Sequence, residues 1–163
     1  MLNPIPSEVD VAVIGAGSAG LPAFRAAREH TDRVILIERG PHGTTCARVG
    51  CMPSKLLIAA AEAAHGMEIA PGFGIHPGSI SIDGEAVMER VRRERDRFVG
   101  FVLDGVDRID PEQKISGQAR FVEDSRLEIG NSQVRAGRVV IASGTSPSIP
   151  HFLEEVRDRV SVN

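Results

Sequence analysis

Val9-Asp10-Val11-Ala12-Val13-Ile14 runs directly into Gly15-Ala16-Gly17-Ser18-Ala19-Gly20, and the reading of this stretch decides the fold. A short, near-continuous apolar run reads as a strand buried on both faces, as in a parallel sheet. The glycines then permit a tight turn. Leu21 to His30, with Leu21, Phe24 and Ala27 on one side, predicts a helix. Arg33 to Glu38 encloses Val34-Ile35-Leu36-Ile37, a second buried strand. Strand, glycine turn, helix, strand is a βαβ opening, whose crossover is right-handed.

Outward from that unit, Gly40 to Gly50 reads as a loop and the Ala-rich Ser54 to Met67 as a helix. Pro71 to Gly84 is an irregular connection. Glu85 to Val106 predicts a helix with Val87, Val91, Phe98 and Val102 on one stripe. Its other side carries Arg90, Arg92, Arg93, Arg95 and Arg97 among Glu89, Glu94 and Asp96. A solvated helix face explains that run better than a phosphate or partner patch does. From Ile115 to Ala136 short alternating pieces (Ala119–Val122, Leu127–Ile129, Val134) are punctuated by turn residues and predict a β-meander. Arg138 to Ala142 reads as a third buried strand, ended by Ser143-Gly144-Thr145. The pattern predicts an α/β domain of three layers. Its parallel sheet is Val9–Ile14, Val34–Glu38 and Val139–Ala142, with helices on one face and the meander on the other.

Composition narrows the function. A chain of 163 residues is long enough for one real core, and 42% hydrophobic with 25% charged residues excludes a disordered chain or a membrane bundle. The net charge of −3 leaves no basic field for nucleic acid, and with no Trp or Tyr and six Phe a base-stacking platform is not expected. Before Glu8 there is neither a basic leader nor an apolar run. The longest apolar stretch, Leu56 to Ala64, is interrupted by Glu62 and too short to span a bilayer. The expectation is a cytoplasmic protein with neither a nucleic-acid nor a membrane partner.

Gly15-x-Gly17-x-x-Gly20, directly after a strand and opening a helix, sits in the context that gives this spacing meaning. The first glycine permits the turn, the second lets backbone approach a pyrophosphate, and the third lets helix and strand pack closely. The helix N-terminus adds unpaired N–H groups and partial positive charge. Glu38, 18 residues after Gly20, is the acid expected to accept a ribose diol and repel a 2′-phosphate. Pro22 falls in the first helical turn, where few bonds are lost, and predicts a slight distortion.

The second informative stretch is Gly43-Thr44-Thr45-Cys46-Ala47-Arg48-Val49-Gly50-Cys51-Met52-Pro53-Ser54-Lys55. Residues five apart in a regular helix rise about 7.5 Å, and a disulfide needs Cα atoms within about 7 Å. Cys46 and Cys51 can therefore bond only across a distorted turn, for which Gly50 supplies the freedom. Pro53 suits the first turn of a following helix. Three readings are open: two buried free thiols, a zinc site recruiting His42 and His65, or a redox disulfide. Nothing in the sequence groups the histidines with the cysteines, so the disulfide is favoured. Its thiolate would gain from the helix start near Pro53 and from Lys55.

At these residues the chain resembles the flavin-dependent pyridine nucleotide–disulfide oxidoreductases with a Cys-x4-Cys pair. Gly43 to Lys55 is similar to their redox-active signature, and Gly15 to Gly20 with Glu38 to their site for the ADP half of FAD. Val140 to Pro147 resembles their second flavin strand, with Ser143 and Thr145 as mild departures from Ala-Thr-Gly-Ser. Gly117-x-Ala119 resembles the place where the backbone meets the adenine. The resemblance spans Glu8 to Pro150. It implies a Rossmann-like FAD/NAD(P)-binding domain over 1–150, with 151–163 starting a linker to an NAD-binding domain. It also implies FAD contacts from Gly15, Gly17, Ser18, Ala19, Gly20, Glu38, Arg39, Thr44, Thr45, Cys46, Gly50, Cys51, Lys55, Ala119, Ala142, Ser143 and Gly144, and no metal.

Within the family, Pro53-Ser54-Lys55 resembles dihydrolipoamide dehydrogenases. Glutathione reductases usually carry Pro-Lys-Lys there, and mercuric reductases share Pro-Ser-Lys. By the resemblance Cys46 is the interchange thiol that meets a small dithiol or disulfide substrate, and Cys51 the charge-transfer thiol facing the flavin. Lys55 lies near flavin N5. Cys46, on the loop side, is expected to be the more accessible sulfur. The family's second glycine motif, for NAD(P), and its dimerisation domain with a His–Glu base have no counterpart in these residues, and His151 is not expected to be that base. The expectation is the flavin domain of an enzyme that is a homodimer at full length, passing electrons between dihydrolipoamide and NAD. A non-catalytic FAD-binding module and an NAD-binding domain with redox-sensing cysteines are the competing readings.

Overall fold

Val34, Ile35, Leu36 and Ile37 are all buried, yet they alternate between two cores, as the two-residue period of a strand requires. The computed structural model that shows this describes residues 5–159. They fall into two compact units, one of residues 5–44 and 102–159 and the other of residues 45–101.

The first unit contains β1 (Glu8–Ile14), α1 (Gly20–Arg28) and β2 (Val34–Glu38), then β3 (Lys114–Ser116), β4 (Ala119–Glu123), β5 (Arg126–Ile129) and β6 (Ser132–Ile141). The strand order is β3-β2-β1-β6-β5-β4. β1 is central, parallel to β2 with Val11 beside Val34 and parallel to β6 with Val13 beside Val140. On one face Val13, Val34 and Leu36 pack with Leu21 and Phe24 of α1 and with Val106. On the other, Ala12, Ile35 and Ile37 pack with Leu127, Ile129 and Val134 of the meander. The three layers are therefore helices, sheet and meander, as the apolar pattern predicts.

Two details differ from the sequence reading. Ile115 does not open the meander. Lys114–Ser116 pairs parallel with β2 and forms the sheet edge. A three-residue strand with one buried side chain leaves no periodic trace. The pieces at Val134 and Val139 are one strand, β6, whose first half pairs antiparallel with β5 and whose second half pairs parallel with β1. The meander is thus continuous with the sheet. Arg135, Gly137 and Arg138 read as an interruption, but backbone pairing does not depend on side-chain polarity. The strand expected to be buried at 138–142 is only half covered, with Ile141 67% exposed, because among the described residues β1 is its only parallel neighbour.

Pro22 costs α1 little. The Leu21 N–H reaches the Gly17 carbonyl at 3.0 Å and the Ala23 N–H the Ala19 carbonyl at 3.2 Å, so the missing donor falls between two intact bonds.

The second unit contains α2 (Thr45–Arg48), α3 (Cys51–Ile69), a 3₁₀ turn at Ala70–Phe73 and most of α4 (Gly84–Asp107), whose last turns belong to the first unit. Asp83 caps α4, accepting the Ala86 N–H at 3.0 Å on its carboxylate. Arg93 and Arg97 pair with Glu94, and Arg95 with Asp96, along the helix itself, as in a solvated charged face. No residue of α3 is buried. Among the described residues no helix is long and apolar enough to cross a membrane.

Candidate active site

The three glycines of the first turn have three separate physical reasons. Gly15 has φ +102°, a left-handed conformation. A Cβ there would also strike the Ala142 carbonyl, and one on Gly20 would strike the Gly15 carbonyl. Gly17 has open space where its Cβ would lie. The chain therefore packs tightly on both sides of the turn and leaves room in its middle. No side chain caps the start of α1 at Ala19, and Ser18 and Ala19 are exposed.

Glu38 closes this turn. One carboxylate oxygen accepts the Ala16 N–H at 2.7 Å and the other the Gly40 N–H at 2.8 Å. The acid is thus held in place by backbone donors on both sides. An ionised carboxylate offers about four lone-pair sites, so acceptor capacity remains on each oxygen. Arg39, next in the chain, is exposed.

The other expected contacts of this unit gather at the same sheet edge. The Ala142 N–H donates to the Ile14 carbonyl at 2.8 Å, and the Gly117 N–H to the Glu38 carbonyl at 2.9 Å. Gly15, Glu38, Gly117 and Ala142 thus lie at the carboxyl ends of β1, β2, β3 and β6, where open α/β sheets bind ligands. Ala119 packs half-buried against the core. Ser143 and Gly144 are exposed, the latter at φ +75°. An uncapped helix start, an open space at Gly17 and a fixed carboxylate fit the adenosine diphosphate half of a dinucleotide.

Two features of the adjoining loop carry no signal in the sequence. His42 buries Nδ1 with no hydrogen-bond partner. Thr44 adopts φ +58°, which for a β-branched residue is a strained conformation of the kind that clusters at functional sites.

In the second unit Cys46 and Cys51 form a disulfide with Cα atoms 4.7 Å apart. The regular helix is interrupted between them. α2 ends at Arg48, and α3 starts at Cys51 after the buried Gly50. A Cβ on Gly50 would come within 3.2 Å of the Thr45 carbonyl oxygen and 3.5 Å of the Cys46 Cα. The glycine therefore allows the close approach that the bond requires. Ser54 fastens the first turn of α3, its hydroxyl donating to the Gly50 carbonyl at 2.9 Å. Lys55 follows on the same turn and is exposed, and Thr45, the first residue of α2, is exposed as well.

In residue exposure the two cysteines differ. Cys51 is an exposed residue and Cys46 only partly so. The cause is local: Cys46 sits inside the 45–48 turn with Gly50 drawn against it, whereas Cys51 begins its helix.

Residues 9–161 match the model of the pyridine nucleotide-disulphide oxidoreductase family. Among curated relatives, a mercuric reductase of Streptomyces lividans is 36% identical over 88% of this chain and 31% of that protein. A glutathione reductase of Burkholderia cepacia is 32% identical over 88% of this chain and 32% of that protein. The chain thus spans under a third of the length of these relatives. In fold it is similar to the HOCl-induced flavoprotein disulfide reductase RclA from Escherichia coli, with a TM-score of 0.66 and 21% identity over 87% of this chain and 29% of that one. With the family model matched along nearly its whole length, this chain belongs to the pyridine nucleotide-disulphide oxidoreductases.

Proposed function

We propose that this chain is the flavin domain of a disulfide oxidoreductase, with FAD held along Gly15–Gly20, Glu38 and the strand ends at Ala119 and Ala142–Gly144. The observation that carries this reading is the Cys46–Cys51 disulfide at the uncapped start of a 19-residue helix, eight residues along the chain from the acid that closes the glycine turn. Residues 1–150 form that domain in this reading, and 151–163 lead toward a domain for NAD.

FAD, when bound, supplies a relay for an electron pair between the cysteine pair and a pyridine nucleotide. The chain's own residues carry out thiol–disulfide exchange. In the reduced protein the Cys46 thiolate attacks a substrate disulfide, forming a mixed disulfide and releasing one substrate thiol. Cys51 then attacks Cys46, releasing the second thiol and restoring the Cys46–Cys51 bond. The reverse sequence oxidises a dithiol. The start of α3 favours negative charge on Cys51, and Lys55 on the same turn adds a cation.

Dihydrolipoamide is the substrate we propose, on the strength of Pro53-Ser54-Lys55. Mercuric ion as substrate is the second reading, favoured by the mercuric reductases among the relatives. The test is to load the chain with FAD and add dihydrolipoamide anaerobically. Rapid bleaching of the flavin, with a long-wavelength thiolate-to-flavin band, supports the first reading. Flavin binding without reduction by the dithiol favours the second, and failure to bind flavin overturns both.

A further inference from the structure

At the opposite end of the sheet, β5 and β6 place Arg126 directly across from Arg135, and β6 places Arg135 beside Glu8 of β1. The Ala136 N–H donates to the Ser125 carbonyl at 2.8 Å, so the bonded positions of this ladder are 125/136 and 127/134. Arg126 and Arg135 fall between them, at the non-hydrogen-bonded position where cross-strand side chains come closest. Like charges directly opposite destabilise a ladder unless something neutralises them.

The surrounding carboxylates are already engaged. Glu8 lies 3.6 Å from Arg33, Glu123 lies 3.4 Å from Nε of Arg126, and Glu128 pairs with Arg120. Among the described residues the Arg135 guanidinium has no ion pair or hydrogen bond, and the ion pair of Arg126 is with Glu123. A cavity of about 350 Å³ opens over this row, lined by Ser7, Glu8, Arg126, Gln133, Val134 and Arg135.

We infer that this cavity binds a compact oxyanion of phosphate size, clamped between Arg126 and Arg135, with the Gln133 amide and the Ser7 hydroxyl as further donors. Guanidinium groups present paired N–H donors that match the oxygens of such an anion. The Glu8 carboxylate at the rim limits the net positive charge and selects against extended polyanions. The site is separate from the glycine turn. Glu8 and Ile14 are the two ends of β1, and the six steps between them at about 3.3 Å each span roughly 20 Å.

The test is an amide NMR titration with inorganic phosphate, with chloride holding ionic strength constant. Saturable shifts are expected at Arg126, Gln133 and Arg135. Arg135→Gln is expected to weaken binding at least about tenfold, a loss of about 1.4 kcal/mol, and Arg126→Gln to weaken it as well. Arg92→Gln, at an exposed position of α4, is expected to change nothing. A second readout is the phosphate-induced rise in melting temperature, present in the wild type and lost in Arg135→Gln. Shifts that stay linear with phosphate, equal weakening by Arg92→Gln, or wild-type affinity in Arg135→Gln overturns the inference.

Discussion

Glu38 does more for this protein than a ligand contact alone would ask. By accepting N–H groups from Ala16 and Gly40, it fixes the glycine turn and the loop after β2 with one carboxylate. Glu38→Ala therefore removes both the anchor and the acid proposed for the ribose. Hydrogen bonds to charged groups contribute about 1.5–3 kcal/mol each, so FAD affinity is expected to fall at least about tenfold. A flavin-fluorescence titration reads this directly, and unchanged affinity would remove Glu38 from the site. His42 presents the opposite case, a buried nitrogen without a partner. Its desolvation costs about 1–3 kcal/mol. His42→Leu is expected to stabilise the flavin-free chain by about 1 kcal/mol, seen as a higher denaturant midpoint. The sulfurs make a third residue-scale prediction. In the reduced, flavin-free chain, limiting alkylation is expected to label Cys51 first, since it is the exposed one. With FAD bound the preference is expected to pass to Cys46. Mass spectrometry locates the label, and an order unaffected by flavin would count against the proposed roles.

Among the elements, α1 shows how a short helix is held by few contacts. Its buried face is Gly20, Leu21 and Phe24, packed on Val13, Val34 and Leu36. Phe24→Ala is expected to cost about 3–5 kcal/mol, as core aromatics do when truncated, and a urea melt measures it. A loss under 1 kcal/mol would mean that the helix is held by something other than this face. β6 carries a different lesson, because one strand serves two ladders of opposite direction. The Arg135 side chain looks like a break in an apolar pattern, yet its backbone N–H is bonded to Ser7 at 2.9 Å. Strand continuity there is a matter of backbone partners, which residue types do not report.

For the molecule as a whole, the glycine turn lies at the carboxyl edge of the parallel strands and the Arg126–Arg135 cavity at the other end of β1. The chain covers under a third of its curated relatives' length, and its sequence contains one glycine-turn cradle. With FAD bound, a single reduction by dihydrolipoamide is expected, but no steady-state reduction of NAD. A coupled absorbance assay at the NADH band checks this, and sustained turnover would mean that these residues hold a nicotinamide site of their own.

What the sequence determined by itself was local. Val34–Ile37 and, apart from Asp10, Val9–Ile14 are apolar on both faces, which makes them buried strands. Gly15 and Gly20 marked the turn because side chains cannot occupy that backbone, and Gly17 marked the open space in its middle. The five-residue spacing of Cys46 and Cys51 required a distorted turn if they were to bond, and Gly50 was the residue able to provide it. The tertiary structure decided what depends on partners distant along the chain. It set Lys114–Ser116 beside β2, paired the second half of β6 with β1, and gave Glu38 the Ala16 N–H as a donor. Hydrogen bonds of this kind form between segments remote in sequence and leave no periodic mark on the residues that make them.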